Sequence, residues 1–348
     1  MWTRIADAFA WPQRASRYLG RTRDVARVEG LLDETRSART LVLRPARGWA
    51  GHRPGHYVPV GVEIAGRRHV RTYSIASAPE RFEDAGCIAI TVKAIEAGLV
   101  SRHLVGEIRR GDRLWLGPAE GAFVLPETIP ARTLFVTAGS GITPVMSMLR
   151  SLDAGGALPD IVHVHHAPHA GDVIFGAELA DLAKAHPAYR LHMVYTRDGS
   201  APTRLTPRRI GAMCPDWRSR ETWACGPRSL LDAVESQWGR ADLAPRLHVE
   251  RFQASLAAPR PGAVGGRVRF GRSGREIDAD ANTSLLQAAE AAGLTPRHGC
   301  RMGICHSCTT TLRAGCVRDL RNGSIIDQPG ARVQICICTA AGPVELEL

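Results

Sequence analysis

The sequence predicts a multidomain protein: an antiparallel β-barrel, a doubly wound α/β domain and a small C-terminal α+β unit. Three observations carry that reading. Short strands between Gly and Pro turns fill residues 38–125, strand–helix alternation begins at Pro130, and cysteines crowd the end of the chain. At 348 residues the chain exceeds what one hydrophobic core usually organises, so two or three domains are expected. With 44% hydrophobic and 23% charged residues, the composition is globular rather than disordered.

Residues 1–35 are read as an irregular N-terminal segment. Trp2, Ile5 and Phe9 fall at helical spacing before Pro12, and Arg14, Arg17, Arg21 and Arg23 follow. This suits a short amphipathic helix packed on its own domain or, alternatively, lying on a membrane or partner. Residues 36–127 form the barrel, with strands expected at Thr40–Leu43, Tyr57–Ile64, His69–Ile75, Cys87–Lys93, Arg113–Leu116 and Ala122–Leu125. A helical piece is expected near Ser101–Ile108. Residues 128–252 alternate strands at Thr133–Thr137, Ile161–His165, Arg190–Tyr195 and Glu221–Ala224 with helices at Pro144–Leu152, Ile174–Ala185 and Ser229–Trp238. Such alternation builds a parallel sheet covered by helices on both faces. Residues 253–266 are a Pro/Gly/Ala linker, and 267–348 make a unit small enough to depend on a cofactor.

The net charge of +11 comes from Arg spread along the whole chain, with no long basic run. That pattern indicates a solvated Arg-rich surface rather than a dedicated site for nucleic acid or an anionic membrane. No apolar stretch reaches bilayer length, and no charged segment leads into an apolar one at the N-terminus. A cytoplasmic location is therefore expected, where nine cysteines are ligands or buried thiols rather than disulfides.

Six of those cysteines lie within residues 300–348, and Cys300, Cys305 and Cys308 have the spacing C-x4-C-x2-C. This is the plant-type [2Fe–2S] ligand pattern, in which four thiolates hold two irons. Gly299 and Gly303 let backbone N–H groups approach the sulfides. Zinc would call for two paired C-x2-C knuckles, and a Rieske centre for two Cys/His loops; neither is present. On strand periodicity alone, either Cys336 or Cys338 could be the fourth ligand. Cys87, Cys214 and Cys316 are read as small buried hydrophobes. Residues 267–348 resemble a plant-type ferredoxin domain of β-grasp fold, and that resemblance selects Cys336, in Cys336-Ile-Cys-Thr-Ala-Ala-Gly. Plant ferredoxins are acidic, whereas this stretch holds ten Arg against eight Asp plus Glu.

Four further motifs precede it. In Arg71-Thr-Tyr73-Ser74, Arg can clamp a phosphate, Tyr can face a flavin ring and Ser can hydrogen-bond flavin N5. Gly98-Leu99-Val100-Ser101 opens a helix whose N–H groups could cradle a pyrophosphate. Gly139-Ser140-Gly141-Ile-Thr143-Pro144 follows a strand and precedes a helix, where a doubly wound sheet receives a dinucleotide. Cys225-Gly226-Pro227 ends another strand at the same sheet edge. Each motif alone is compatible with ordinary turn chemistry. In this order they resemble the ferredoxin–NADP reductase superfamily over residues 38–252. The resemblance implies that Arg71, Tyr73 and Ser74 contact the flavin, that Val92, Lys93 and Gly98–Ser101 line its phosphate side, and that Gly139–Pro144 and Cys225–Pro227 bind NAD(P)H. Ser74 and Cys225 take the catalytic positions. Ser77 completes an R-x-Y-S-x-x-S run that favours FAD over FMN, and Phe252 falls near the flavin.

Electron counting supplies the order of transfer. NAD(P)H gives two electrons as hydride and the cluster accepts one at a time, so a flavin stands between them. With its C-terminal ferredoxin, the chain resembles single-component reductases that feed bacterial oxygenases and acyl desaturases. A membrane di-iron desaturase or hydroxylase is the expected acceptor, bringing the protein near a membrane; a Rieske-type oxygenase is the alternative. A non-enzymatic electron carrier or metal-binding module is the reading from another class. Thr196-Arg197 stands where NADP-using relatives place a Ser-Arg pair, so Arg197 is expected to favour NADPH over NADH.

Overall fold

The computed structural model describes residues 25–96, 98–156, 158–198, 207–252, 265–298, 303 and 308–348. The expected N-terminal helix, most of the linker, and Cys300 and Cys305 lie outside these residues. The chain divides into two compact units. One takes residues up to Arg68, Tyr73–Cys225 and Ala233–Val249; the other takes His69–Thr72, Gly226–Asp232 and Glu250–Leu348.

The first sheet contains β1 (Val25–Thr35), β2 (Ala38–Pro45), β3 (Tyr57–Ile64), β4 (Arg67–Ser74), β5 (Ile88–Lys93) and β6 (Arg113–Leu116), ordered β4-β3-β6-β1-β2-β5. A bridge between Ile75 and Ile90 joins the two edges and closes the barrel. Val28, Leu41, Leu43, Val58, Val60, Ile88 and Ile90 fill its interior. Strand β1 lies in the middle of this sheet, although its residues were assigned to the segment before the barrel. Register shifts between Val28 and Gly30 and between Asp33 and Thr35 break its two-residue alternation, which hides the strand from periodicity. Ala122–Leu125 is not a strand. It lies between Gly117-Pro118 and Pro126, and Phe123 and Leu125 are buried without ladder pairing. A short helix, α1 (Pro79–Ala85), follows β4, and α2 (Leu99–Gly106) follows β5.

The second sheet contains β7 (Arg132–Ala138), β8 (Asp160–Ala167), β9 (Tyr189–Tyr195), β10 (Glu221–Cys225) and β11 (Leu247–Glu250), ordered β11-β10-β7-β8-β9. Strands β10, β7, β8 and β9 are parallel. Helices α3 (Ile142–Ala154), α4 (Gly176–Ala185), α5 (Pro207–Met213) and α6 (Arg228–Arg240) connect or follow them. The chain runs from β7 outward to β9 and returns to β10 on the other side of β7. The strand order therefore reverses between β7 and β10, where open α/β sheets bind ligands at the carboxyl ends.

Barrel and parallel sheet belong to one unit and share polar contacts. The Ser77 carbonyl accepts from Ser147 Oγ on α3 at 2.7 Å. Arg150 donates to the Ala76 carbonyl at 2.8 Å and pairs with Glu178 through both its other nitrogens. Trp223 Nε1 donates to the Val124 carbonyl at 3.3 Å.

In the other unit, β12 (Gly266–Phe270) and β13 (Arg275–Ala279) form a hairpin, followed by α7 (Leu285–Ala291). Helix α7 starts with a reciprocal capping box between Ser284 and Gln287. Strand β14 (Thr309–Asp319) pairs with β15 (Ile325–Ile326), β16 (Arg332–Gln334) and β17 (Cys338–Leu346), and β17 runs parallel to β12. Val268, Phe270, Leu285, Leu312, Val317 and Leu346 make its core. Among the described residues, no helix is long and apolar enough to cross a membrane.

Candidate functional site

At the barrel end of the site, Tyr73 packs against the barrel core and Ser74 is buried. Arg71 lies in the same strand, and its guanidinium donates to the Val70 carbonyl at 2.8 Å. Ser77 is turned inward: its hydroxyl accepts the Ala89 N–H at 3.0 Å, and its carbonyl is shared by Ser147 and His52. The Val92 and Val100 side chains belong to the core, leaving backbone groups to face a ligand. Gly98 caps α2, and the Ser101 hydroxyl ties the loop by accepting the Ile95 N–H and donating to the Gly98 carbonyl, both at 3.3 Å. Ile95 and Leu99 are exposed on this loop.

Across from it, β7 ends in the single 3-10 turn Gly139–Gly141 before α3. Gly139 has φ +53°, a conformation that suits glycine, and a Cβ there would sit 3.9 Å from Lys93 Nζ of the barrel. Thr143 Oγ1 donates to the Ser140 carbonyl at 2.9 Å, fixing the turn. Pro144 occupies the first turn of α3, where its missing N–H is no loss. An ammonium beside a bare glycine turn at a strand end fits an anionic dinucleotide. Cys225, fully buried, is the last residue of β10 and leads into Gly226-Pro227.

The same carboxyl edge holds a histidine cluster, His163-Val-His165-His166; sequence reading reaches His166 as an ambiguous nucleotide-side residue but not the pairing of His163 and His165. Thr137 Oγ1 lies 2.7 Å from both His163 Nε2 and His165 Nδ1. Burial, with the charges of His166 and Lys93, pushes the His165 imidazole down to about 3. Burial also holds His163 well below its ordinary range, and His166 below it. His166 Nδ1 donates to the Thr137 carbonyl at 3.2 Å, since a carbonyl only accepts.

In the second unit, Cys308 immediately precedes β14 and Cys336 lies in the turn Ile335–Ile337. Their sulfur atoms are 3.2 Å apart and both residues are buried. Two converging thiols with soft donor atoms fit an iron–sulfur cluster. The turn also places Cys336 and Cys338 in different elements, so the expectation that they share one strand face is corrected. Cys338 begins β17 opposite Asp319, and burial pushes its thiol up to about 12. Gly303 has φ +76° and its carbonyl accepts from Gln334 Nε2 at 2.9 Å. A Cβ on Gly303 would come within 2.8 Å of Ile337 Cδ1.

Residues 33–124 match the oxidoreductase FAD-binding domain family and residues 135–236 the oxidoreductase NAD-binding domain family. Residues 268–341 match the 2Fe-2S iron-sulfur cluster binding domain family. An NADPH oxidoreductase of Mycobacterium tuberculosis is 46% identical over 323 residues, spanning 92% of this chain and 83% of that protein. The chain belongs to the flavin and [2Fe–2S] reductases of the ferredoxin–NADP reductase superfamily.

This reductase is also 30% identical over 310 residues to a glycine betaine monooxygenase reductase subunit of Pseudomonas aeruginosa, covering 82% of this chain and 84% of that one. The NADH oxidoreductase HCR of Escherichia coli is 32% identical over 266 residues, with 76% and 78% covered. The solved structure of phthalate dioxygenase reductase has the same fold: TM-score 0.64 at 22% identity, over 93% of this chain and 97% of that one. The reductase is thus an oxidoreductase that uses FAD, a [2Fe–2S] cluster and NAD(P)H. The glycine betaine relative is named for a monooxygenase, and the expected desaturase gains no support from the relatives' names. Phe252 ends the described stretch before the linker, and Arg197 is exposed at the end of β9, its N–H donating to the Pro168 carbonyl at 3.0 Å.

Proposed function

We propose that the protein is the reductase component of an oxygenase system, oxidising NADPH and delivering single electrons to an iron-dependent, oxygen-activating partner. The names of the monooxygenase reductase relatives, over four-fifths of the chain, carry this reading. FAD, when bound, is the group that takes a hydride and releases its electrons singly. Arg71, Tyr73 and Ser74 hold it from the barrel, with Lys93 and the Gly98–Ser101 loop on its phosphate side. The Gly139–Pro144 turn and Cys225–Pro227 hold the dinucleotide at the reversal point of the sheet. Cys300, Cys305, Cys308 and Cys336 hold the cluster; the 3.2 Å sulfur contact between the last two supports this set.

NADPH is favoured by the exposed Arg197 guanidinium, suited to a 2′-phosphate, and by the name of the relative at 46% identity. A membrane di-iron desaturase or hydroxylase is the second reading.

Two variants test the electron route. Cys336→Ser is expected to abolish the [2Fe–2S] absorption and cytochrome c reduction while ferricyanide reduction from the flavin persists. Cys338→Ser is expected to leave the absorption nearly unchanged; the reverse result refutes the ligand set. Assaying NADPH oxidation with purified Rieske-type and di-iron acceptors then decides the partner.

A further inference from the structure

The end of β14 carries an ion pair that reaches the cysteine loop. Asp319 is the last residue of that strand, and Arg321 lies two residues beyond it. Asp319 Oδ1 accepts the Arg321 backbone N–H at 2.8 Å and Nε at 3.1 Å, and Oδ2 accepts Nη2 at 2.7 Å. The Asp319 hydrogen bond, with the charges of Asp319, Cys338 and Cys336, pushes the guanidinium above its ordinary value although burial works against it. Burial pushes the Asp319 carboxyl up, but the Arg321 bonds and charge hold it below its ordinary value. Both groups are therefore ionised at neutral pH.

The pair has a direction. Asp319 takes Nε and Nη2, which leaves Nη1 on the opposite edge of the guanidinium. That arm lies against Gly303, where an added Cβ would come within 3.2 Å of it. Gly303 stands between Cys300 and Cys305 in the chain, and its carbonyl is held by Gln334, two residues before Cys336. The Leu320 N–H donates to the Ile337 carbonyl at 2.7 Å, tying this end of β14 to the turn that bears Cys336. A lock on the β14 turn needs only the arms that Asp319 takes. It does not account for the arm turned to the cysteine loop.

Reduction adds one electron, and so one negative charge, to an iron–sulfur site, and local charge sets the potential. A cation held against the ligand loop stabilises the reduced form more than the oxidised one. We propose that Arg321, held by Asp319, raises the reduction potential of the [2Fe–2S] cluster. One electron lost by the reduced flavin and gained by the cluster is thereby favoured, with no further reactant. The proposal rests on the cysteine set given above. Arg321 is 45% exposed, so solvent screens part of its charge and the effect is moderate.

Redox titration of the full-length, cofactor-loaded protein, followed by the electron paramagnetic resonance of the reduced cluster, tests it. Arg321→Gln is expected to lower the equilibrium constant for cluster reduction about three- to tenfold. That is a fall of about 30–60 mV, at about 59 mV per tenfold for one electron. Arg321→Lys keeps the charge and should stay within about twofold of wild type. Asp319→Asn keeps an acceptor for the Arg321 backbone N–H and removes the opposing charge, so its potential should rise. The two halves of the pair thus move the potential in opposite directions, whereas loss of a purely structural lock would move both alike. A fall of less than about threefold in Arg321→Gln, no recovery in Arg321→Lys, or no rise in Asp319→Asn overturns the proposal. If Arg321→Gln loses its cluster, the other two variants, each closer in shape or charge to the native residue, decide the matter. Wild-type protein with no one-electron [2Fe–2S] signal refutes the cysteine set and the proposal with it.

Discussion

The two ends of the parallel sheet handle buried polar groups in opposite ways. At the amino end, Arg220 is 1% exposed and every arm of its guanidinium is used. It bonds Asp216 at 2.8 Å, Asp160 at 3.0 Å, and the Thr133 and Asp160 carbonyls at 3.2 and 3.0 Å. The Arg220 hydrogen bond holds the Asp216 carboxyl down to about 2. At the carboxyl end, His165 and His166 each keep a buried ring nitrogen without a partner among the described residues. One end is satisfied and the other is not. A satisfied end stabilises the domain, and an unsatisfied end gives up part of that stability.

The largest expected effect lies at the satisfied end. Arg220→Ala takes one donor from the Asp216 and Asp160 carboxylates and from the Thr133 and Asp160 carbonyls; Asp160 keeps Arg190 at 2.6 Å and the two carboxylates are 40% and 39% exposed, so the expected cost in urea unfolding is about 2–3 kcal/mol. Arg190→Ala, at the exposed rim of the same network, should cost no more than about 1 kcal/mol. Equal costs for the two would erase the contrast between a buried anchor and a surface pair.

The unsatisfied end makes the next largest effect, and its sign is fixed. His163, His165 and His166 have folded pKa values below the unfolded value of 6.5, so the unfolded chain binds more protons as pH falls. Stability is level above pH 6.5 and falls below it, toward the His165 value of about 3. Each histidine contributes up to about 1.4 kcal/mol per pH unit in that window. Lys93 beside His165 and Arg209 beside His166 act in the same direction. Urea midpoints measured from pH 8 to pH 5 check this, and a midpoint independent of pH would contradict it. Smallest is Arg197→Ala, expected to lower kcat/KM for NADPH about five- to tenfold, to leave NADH unchanged and not to move the urea midpoint. An NADH preference untouched by the substitution would remove Arg197 from the site.

The strands of the parallel sheet and the motifs at their carboxyl ends were legible because each is a contiguous pattern: an apolar run, then glycines or Cys-Gly-Pro. Strand β1 escapes periodicity because the bulge after Val28 shifts its phase: Ala26 and Val28 are buried, but beyond it Leu31 packs on the core and Leu32 is exposed. The Cys336–Cys338 ambiguity arose because the turn at Ile335–Ile337 leaves no trace in an alternating Ile/Cys run. Arg220's role and the hydrogen bonds that link Tyr189, His163, Thr137 and His165 were invisible for a different reason. They join residues 26 to 87 positions apart through strand register and loop return, which no local pattern encodes.

The shared Ser77 carbonyl has a consequence for how such proteins can be recombined. His52 of the barrel and Ser147 of the nucleotide domain both donate to that one oxygen, and Arg150 binds its neighbour Ala76. A crossover near residue 128 would have to inherit matched partners on both sides, because a foreign helix without Ser147 and Arg150 strips the Ala76 carbonyl of its guanidinium donor and leaves the Ser77 carbonyl with His52 alone. A crossover between residues 252 and 265 cuts none of these bonds. The barrel and the nucleotide domain are thus expected to travel as a single heritable block.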